Sequence, residues 1–316
     1  MIQYVYGIDI GGTNIKFGLF LLSEMKMIYT YETQTPFDNQ ETSLFIKIIE
    51  TIVIINKENQ INMLNIVGIG MAIPCPVKNG YVEHCSNLNW DHMNISNMLK
   101  TYLPKHVEVT VSNDATIAAL GESQSFEKPY NSVVFYTLGT GVGGGIIIDG
   151  KIHEGYSGFG GEIGHMKVSN EPTEIICGCG SKGCLEQVCG TAAIFRNVRE
   201  LAKTGKTSLN LDELTVKNVF DAAKSGDIIS LKVVNNVAEY VAISASVLAV
   251  VVDPEVFIIG GGISKAGDFL LDLIVQHYKK HARFSTYKIP FILAKSGNNA
   301  GFIGAAYLVK NKIMRG

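Results

Sequence analysis

Residues 6–20 read YGIDIGGTNIKFGLF, and residues 135–149 read FYTLGTGVGGGIIID. Each is an apolar run, a turn of Gly and Thr, and a second apolar run, the pattern of two strands joined by a tight hairpin. Two copies of one layout predict an internal duplication, with two similar α/β domains. Each copy then presents a turn whose backbone N–H groups and Thr hydroxyl can hold phosphate oxygens, the two facing each other across a cleft. A single Gly/Thr turn would read as a plain hairpin. Asp9, just before the first turn, sharpens the reading because a carboxylate there can hold Mg²⁺ through water.

Outward from these hairpins, residues 43–56 have helical apolar spacing and residues 65–73 return to a strand. Pro74-Cys75-Pro76 forces a turn, and the polar loop SNLNWD at 86–91 follows, carrying the single Trp. Asn87 is a candidate ligand contact in that loop, with an Asx-turn as its alternative role. A short strand at 107–111 hands over to a helix through Ser112-Asn113-Asp114. Asp114 there either caps the helix or accepts a proton from a substrate hydroxyl. Later segments at 192–203, 211–225 and 229–250 read as helices, and 256–259 as a strand ending in Gly260-Gly261-Gly262-Ile263-Ser264. Such a turn, with a helix following, lets a planar ring or a phosphate approach the backbone. The strand at 291–294 leads into SGNNAGFIGAA, a small-residue helix that must pack closely.

Residues 158–189 read GFGGEIGHMKVSNEPTEIICGCGSKGCLEQVC. His165, Cys177, Cys179 and Cys184 form a soft ligand set that selects tetrahedral Zn²⁺ over Mg²⁺ or Ca²⁺. Glycines at 178, 180 and 183 let the loop fold tightly around one ion. The competing reading is buried or redox-active thiols. Four protein ligands leave no open coordination position, so the metal is expected to be structural, which also argues against a zinc hydrolase. Glu162 and Glu186 flank the set. Two fixed carboxylates beside an imidazole that gives one ring nitrogen to the metal suit the vicinal hydroxyls of a sugar. Either Glu alone would read as a solvated charge.

The chain has 316 residues and a net charge of −2, with no basic stripe and no acidic block, so nucleic acid is not an expected partner. It enters a strand at once, without the pattern of a signal peptide. The apolar run at 241–252 is broken by Ser244 and Ser246 and ends at Asp253-Pro254, which reads as a buried helix and not a membrane span. Free, clustered cysteines fit a reducing compartment, and a cytoplasmic location is expected.

In this order, DIGGT at 9–13, NDA at 113–115, LGTGVGGG at 138–145, GGEIGH at 160–165, CGCGSKGCLE at 177–186 and GGGIS at 260–264 resemble the ROK family of sugar kinases, within the actin/Hsp70-like ATPase superfamily. The resemblance spans essentially the whole chain. It implies a two-domain actin-like ATPase (ribonuclease H-like) α/β fold with a cleft between the domains and a structural zinc loop at 165–186. Residues 1–118 with the helix at 300–316 would form one domain and residues 119–299 the other. The resemblance implies Asp114 as general base on the sugar hydroxyl, and Asn113, Glu162, His165 and Glu186 as sugar contacts. Asp9, Gly11, Gly12, Thr13 and Lys16, with Gly139, Thr140 and Gly141, would hold the phosphates of ATP–Mg²⁺. Gly261 and Gly262 would lie near the adenosine. His165, Cys177, Cys179 and Cys184 match the family's zinc ligands, and a homodimer is the family habit.

The implied reaction is phosphorylation of a free aldohexose at its 6-hydroxyl, with glucose first and allose or an N-acylated hexosamine next. The family's usual Gly-x-Pro-Gly is Ala72-Ile73-Pro74-Cys75 here, and Cys189 stands where many glucokinase-like members carry a small or aromatic residue. Both features are similar to allose-kinase-like members, whereas NLNW at 87–90 is glucokinase-like. The family's sugar-responsive repressors carry a helix-turn-helix domain ahead of the first strand. Eight residues precede Asp9 here, and Asp9 and Asp114 are both present, which favours an enzyme.

Overall fold

The computed structural model describes residues 2–36, 41–85, 88–169 and 175–315. The chain divides into two compact units, Met1–Pro129 with Glu154–Gly160 and Asn298–Gly316, and Tyr130–His153 with Gly161–Gly297. The helix Asp114–Gln124 runs unbroken through residue 118, so the division falls beyond the boundary expected from sequence.

The first unit begins with β1 (Tyr4–Ile10), β2 (Asn14–Leu21), β3 (Lys26–Gln34), α1 (Glu41–Glu58) and β4 (Ile66–Ile73). The short hairpin β5 (Tyr81–Cys85) and β6 (Trp90–Asn94) follows, then α2 (Ile95–Lys100), β7 (Glu108–Asn113) and α3 (Asp114–Gln124). Its sheet has the order β3-β2-β1-β4-β7, antiparallel across the first three strands and parallel beyond them. β1 lies at the centre and is covered on both faces, which is why Val5, Tyr6, Ile8 and Ile10 are all buried and the run does not alternate. Asp9 pairs with Lys16 across the first hairpin. The turn is closed by Gly11 N–H donating to Asn14 O at 3.0 Å and by Thr35 Oγ1 donating to Gly11 O at 2.7 Å.

The second unit contains β8 (Val133–Leu138), β9 (Val142–Ile148), β10 (Lys151–Ile152), α4 (Leu185–Cys189), α5 (Thr191–Ala202), α6 (Val216–Lys224) and α7 (Ile228–Val252). It ends with β11 (Val256–Gly260), α8 (Asp268–His281) and β12 (Phe291–Leu293). The sheet order β10-β9-β8-β11-β12 repeats that of the first unit, with the same change from antiparallel to parallel. The repeated sequence layout therefore corresponds to a repeated topology. α6 starts at Val216 and not at 211, because Thr215 and Asn218 cap it reciprocally. α7, with 25 residues, is long and apolar enough to cross a bilayer by length and composition. Its residues from Ile229 to Ala249 bury one side in the core of this unit, while Val247, Val250 and Val251 are exposed.

The chain then returns to the first unit as α9 (Ala300–Ile313). A Cβ on Gly70 of β4 would sit 1.8 Å from the Ala305 carbonyl oxygen, so this helix rests directly on the sheet backbone. Small residues at 300, 301, 304, 305 and 306 make that approach possible.

Candidate active site

In the first unit, β7 ends at Asn113 and α3 starts at Asp114. The cap is Asn113, whose Oδ1 accepts from Thr116 N–H at 3.1 Å and whose Nδ2 donates to Cys75 O at 3.3 Å. Capping was one of the two roles open to Asp114, and the neighbouring amide takes it. Both ends of the Asn113 side chain, assigned to the sugar by resemblance, are thus engaged within the protein. Asp114 occupies the first helical position, and its Oδ1 accepts from Ala115 N–H at 2.7 Å. Burial pushes its carboxyl above the usual range, against hydrogen bonds that hold it down. Asp9 is pushed up to about 6, by burial first and by the charge of Asp114 next, with Lys16 opposing. Lys16 Nζ donates to Asn298 O at 3.2 Å, just ahead of α9. This unit therefore brings Asp9, Lys16, Asn113 and Asp114 into one electrostatic group.

Cys75 and Cys85 form a disulfide, with Cα atoms 5.2 Å apart. The clustered cysteines read as free are so, Cys177, Cys179, Cys184 and Cys189, and the bridge between the other two was not anticipated. The β5–β6 hairpin, whose strands were not legible, swings Cys85 back onto the loop at 74–76. The loop that departs from the family pattern is thereby fastened, one hydrogen bond away from Asn113. Asn87 lies outside the described residues.

In the second unit, the turn at 139–141 is closed by Gly139 N–H donating to Gly141 O at 2.9 Å. Gly261 has φ of +82°, and a Cβ there would meet Leu138 O at 2.3 Å, so the glycine turn after β11 lies on the end of β8. Gly139, Gly261 and Gly262 are thus brought together. A five-residue 3₁₀ turn, Gly262–Ala266, leads on into α8, the helix expected to follow.

The same unit gathers His165, Cys177, Cys179 and Cys184, with ligand atoms all within 4.8 Å of one another. Cys179 and Cys184 sulfurs are 3.6 Å apart, and Cys177 Sγ is 3.4 Å from His165 Nδ1. A tetrahedral zinc with Zn–S of about 2.3 Å has sulfur–sulfur edges of about 3.8 Å, so the donor set fits that ion. With Nδ1 facing the sulfurs, His165 turns Nε2 outward, 4.0 Å from Glu162 Oε2. Glu186 lies on α4, which begins directly after Cys184. Its Oε2 accepts from Val142 N–H at 3.1 Å, a contact between residues 44 positions apart that no local pattern signals.

The sequence profile of the ROK family matches residues 5–312. The glucokinase of Halalkalibacterium halodurans is 35% identical over 328 residues, covering 98% of this chain and 96% of that protein. The N-acetyl-D-glucosamine kinase of Haemophilus influenzae is 30% identical over 319 residues, covering 97% and 99%. A crystal structure of a ROK family glucokinase from Streptomyces griseus, in complex with glucose and AMPPNP, matches with a TM-score of 0.74 at 28% identity, covering 98% of this chain and all of that one. A profile match across nearly the whole chain, with sugar kinases aligned end to end, makes this chain a member of the ROK family.

Proposed function

We propose that the chain transfers the γ-phosphoryl group of ATP to the 6-hydroxyl of a free aldohexose. Its relatives are named as sugar kinases, a related glucokinase structure holds glucose and AMPPNP, and Asp114 carries the assignment to this chain. It is a half-buried carboxylate at a helix start, with a raised pKa and a second acidic group beside it. In this reading Asp114 takes the proton of the hydroxyl as its oxygen bonds to the γ-phosphorus, while the bond to the β,γ-bridging oxygen breaks and ADP leaves. Backbone N–H groups of the turns at 11–13 and 139–141, with Lys16, hold the phosphates; Gly261 and Gly262 accept the adenosine. Mg²⁺ supplies charge neutralisation on the phosphates, and Asp9 orients its water shell. Glu162, His165 and Glu186, with Asn87 and Asn113, contact the sugar. A structural Zn²⁺ on His165, Cys177, Cys179 and Cys184 supplies a cross-link that fixes the loop bearing these groups.

Glucose is the first choice of sugar, supported by the glucokinase relatives. An N-acylated hexosamine is the second, supported by the N-acetyl-D-glucosamine kinase. D-allose stays with them because of Cys75 and Cys189. A homodimer belongs to the same reading, and light scattering at twice the chain mass tests it. A cytoplasmic site of action also belongs to it; there the Cys75–Cys85 pair meets a reducing thiol pool, so reduced and oxidised protein are both assayed.

The deciding experiment is ADP release from ATP–Mg²⁺ with glucose, allose, mannose, N-acetylglucosamine and N-acetylmannosamine, with Asp114→Asn as control. One preferred sugar, silent in the control, supports the proposal. ADP release that persists in the control overturns the base assignment, and no turnover with any sugar overturns the kinase reading.

A further inference from the structure

The turn at 139–142 is gripped from one side by three residues around the junction of α4 and α5. Glu186 Oε2 accepts from Val142 N–H at 3.1 Å, and it fills the space a side chain at 141 would need, since a Cβ on Gly141 would lie 2.1 Å from that oxygen. Thr191 donates twice to Gly139 O, from its backbone N–H at 3.0 Å and its hydroxyl at 2.9 Å. Between them, a Cβ on Gly190 would come within 2.9 Å of Thr140 O. α4 is a five-residue helix that starts right after Cys184 and is closed by Gly190 N–H donating to Glu186 O at 2.9 Å. The cysteine loop and the phosphate turn are therefore separated by a single helical segment.

We propose that Glu186 and Thr191 are positioning residues for the nucleotide, holding the 139–142 turn so that its amides converge on phosphate oxygens. Glu186 then serves two ligands, with Oε2 tied to the turn and Oε1 left to face the sugar. The proposal rests on ATP occupying this turn. Amides held in place before binding need no reordering when phosphate arrives, so releasing the grip costs nucleotide affinity.

The test is calorimetric binding of Mg²⁺–AMPPNP without sugar, and of glucose without nucleotide, for the full chain and its variants. Thr191→Val is expected to weaken AMPPNP about fivefold and leave glucose binding unchanged. Glu186→Ala is expected to weaken AMPPNP about tenfold, and Glu186→Gln, which keeps an acceptor for Val142 N–H, to restore it to within about twofold while still weakening glucose. A role in sugar binding alone would not produce that split. Thr191→Val and Glu186→Ala that both bind AMPPNP like the parent overturn this proposal and leave the kinase reading standing. A parent chain that binds no AMPPNP overturns both.

Discussion

At the level of single residues, the proposed mechanism gives Asp114 and Asp9 two separate tasks. A general base contributes about 10²–10⁴ in rate, so Asp114→Asn is expected to lower kcat by at least about a hundredfold while sugar affinity stays within about tenfold. Near-normal turnover in a well-folded variant would remove the assignment. Asp9 holds its proton more tightly in the folded chain, near 6, than at the ordinary 3.8. Its ionised form therefore weighs against folding once the pH rises past about 6, and the burden is relieved as the pH falls toward 3.8. Asp9→Asn is expected to gain up to about 3 kcal/mol of stability at pH 8, with the gain gone near pH 4. Urea unfolding at the two pH values checks this, and equal stability at pH 8 would contradict it. A group that costs stability in its working ionisation state is retained for its chemistry.

Elements show where sequence reading succeeds and where it stops. The hairpins around 9–16 and 138–142 were legible because apolar runs and Gly/Thr turns are local signals. The strand-to-helix handover at Asn113–Asp114 was legible for the same reason, although which of the two residues caps was not: Asn and Asp are equal candidates until the first residue of the helix is known. The grip of Glu186 and Thr191 on the turn at 139–142 joins residues 44 and 52 positions apart, and the Cys75–Cys85 bridge depends on a hairpin with weak strand patterning. Closing a loop of that length lowers unfolded-chain entropy by about 3 kcal/mol. Oxidised protein is thus expected to outlast reduced protein in urea by about that amount, with Cys85→Ser matching the reduced form; identical midpoints would show that the bridge is not made in solution. α9 offers a second check. Gly70→Ala forces a methyl into the Ala305 carbonyl and is expected to cost about 3 kcal/mol or more. A neutral result would mean that α9 does not rest on β4.

For the molecule as a whole, the proposed zinc and the two-unit division make a joint prediction. Elemental analysis is expected to find about one zinc per chain, from the single four-ligand set among the described residues. Chelation is expected to loosen the cysteine loop, α4 and α5 in the second unit and to leave the β3-β2-β1-β4-β7 sheet protected, as read by amide hydrogen exchange. A metal-free chain with full activity and unchanged exchange would dismiss the structural role.

The return of α9 to the first unit also sets an order of events on the ribosome. Nearly all of the second unit leaves the exit tunnel before residue 300 does, so the unit begun first is finished last. At about 5–20 residues per second, the sheet completed by β7 waits on the order of ten to forty seconds for the helix that covers it. During that interval the sheet face around Gly7 and Gly70 is uncovered, and the newborn chain offers chaperones an apolar surface that the mature protein never displays.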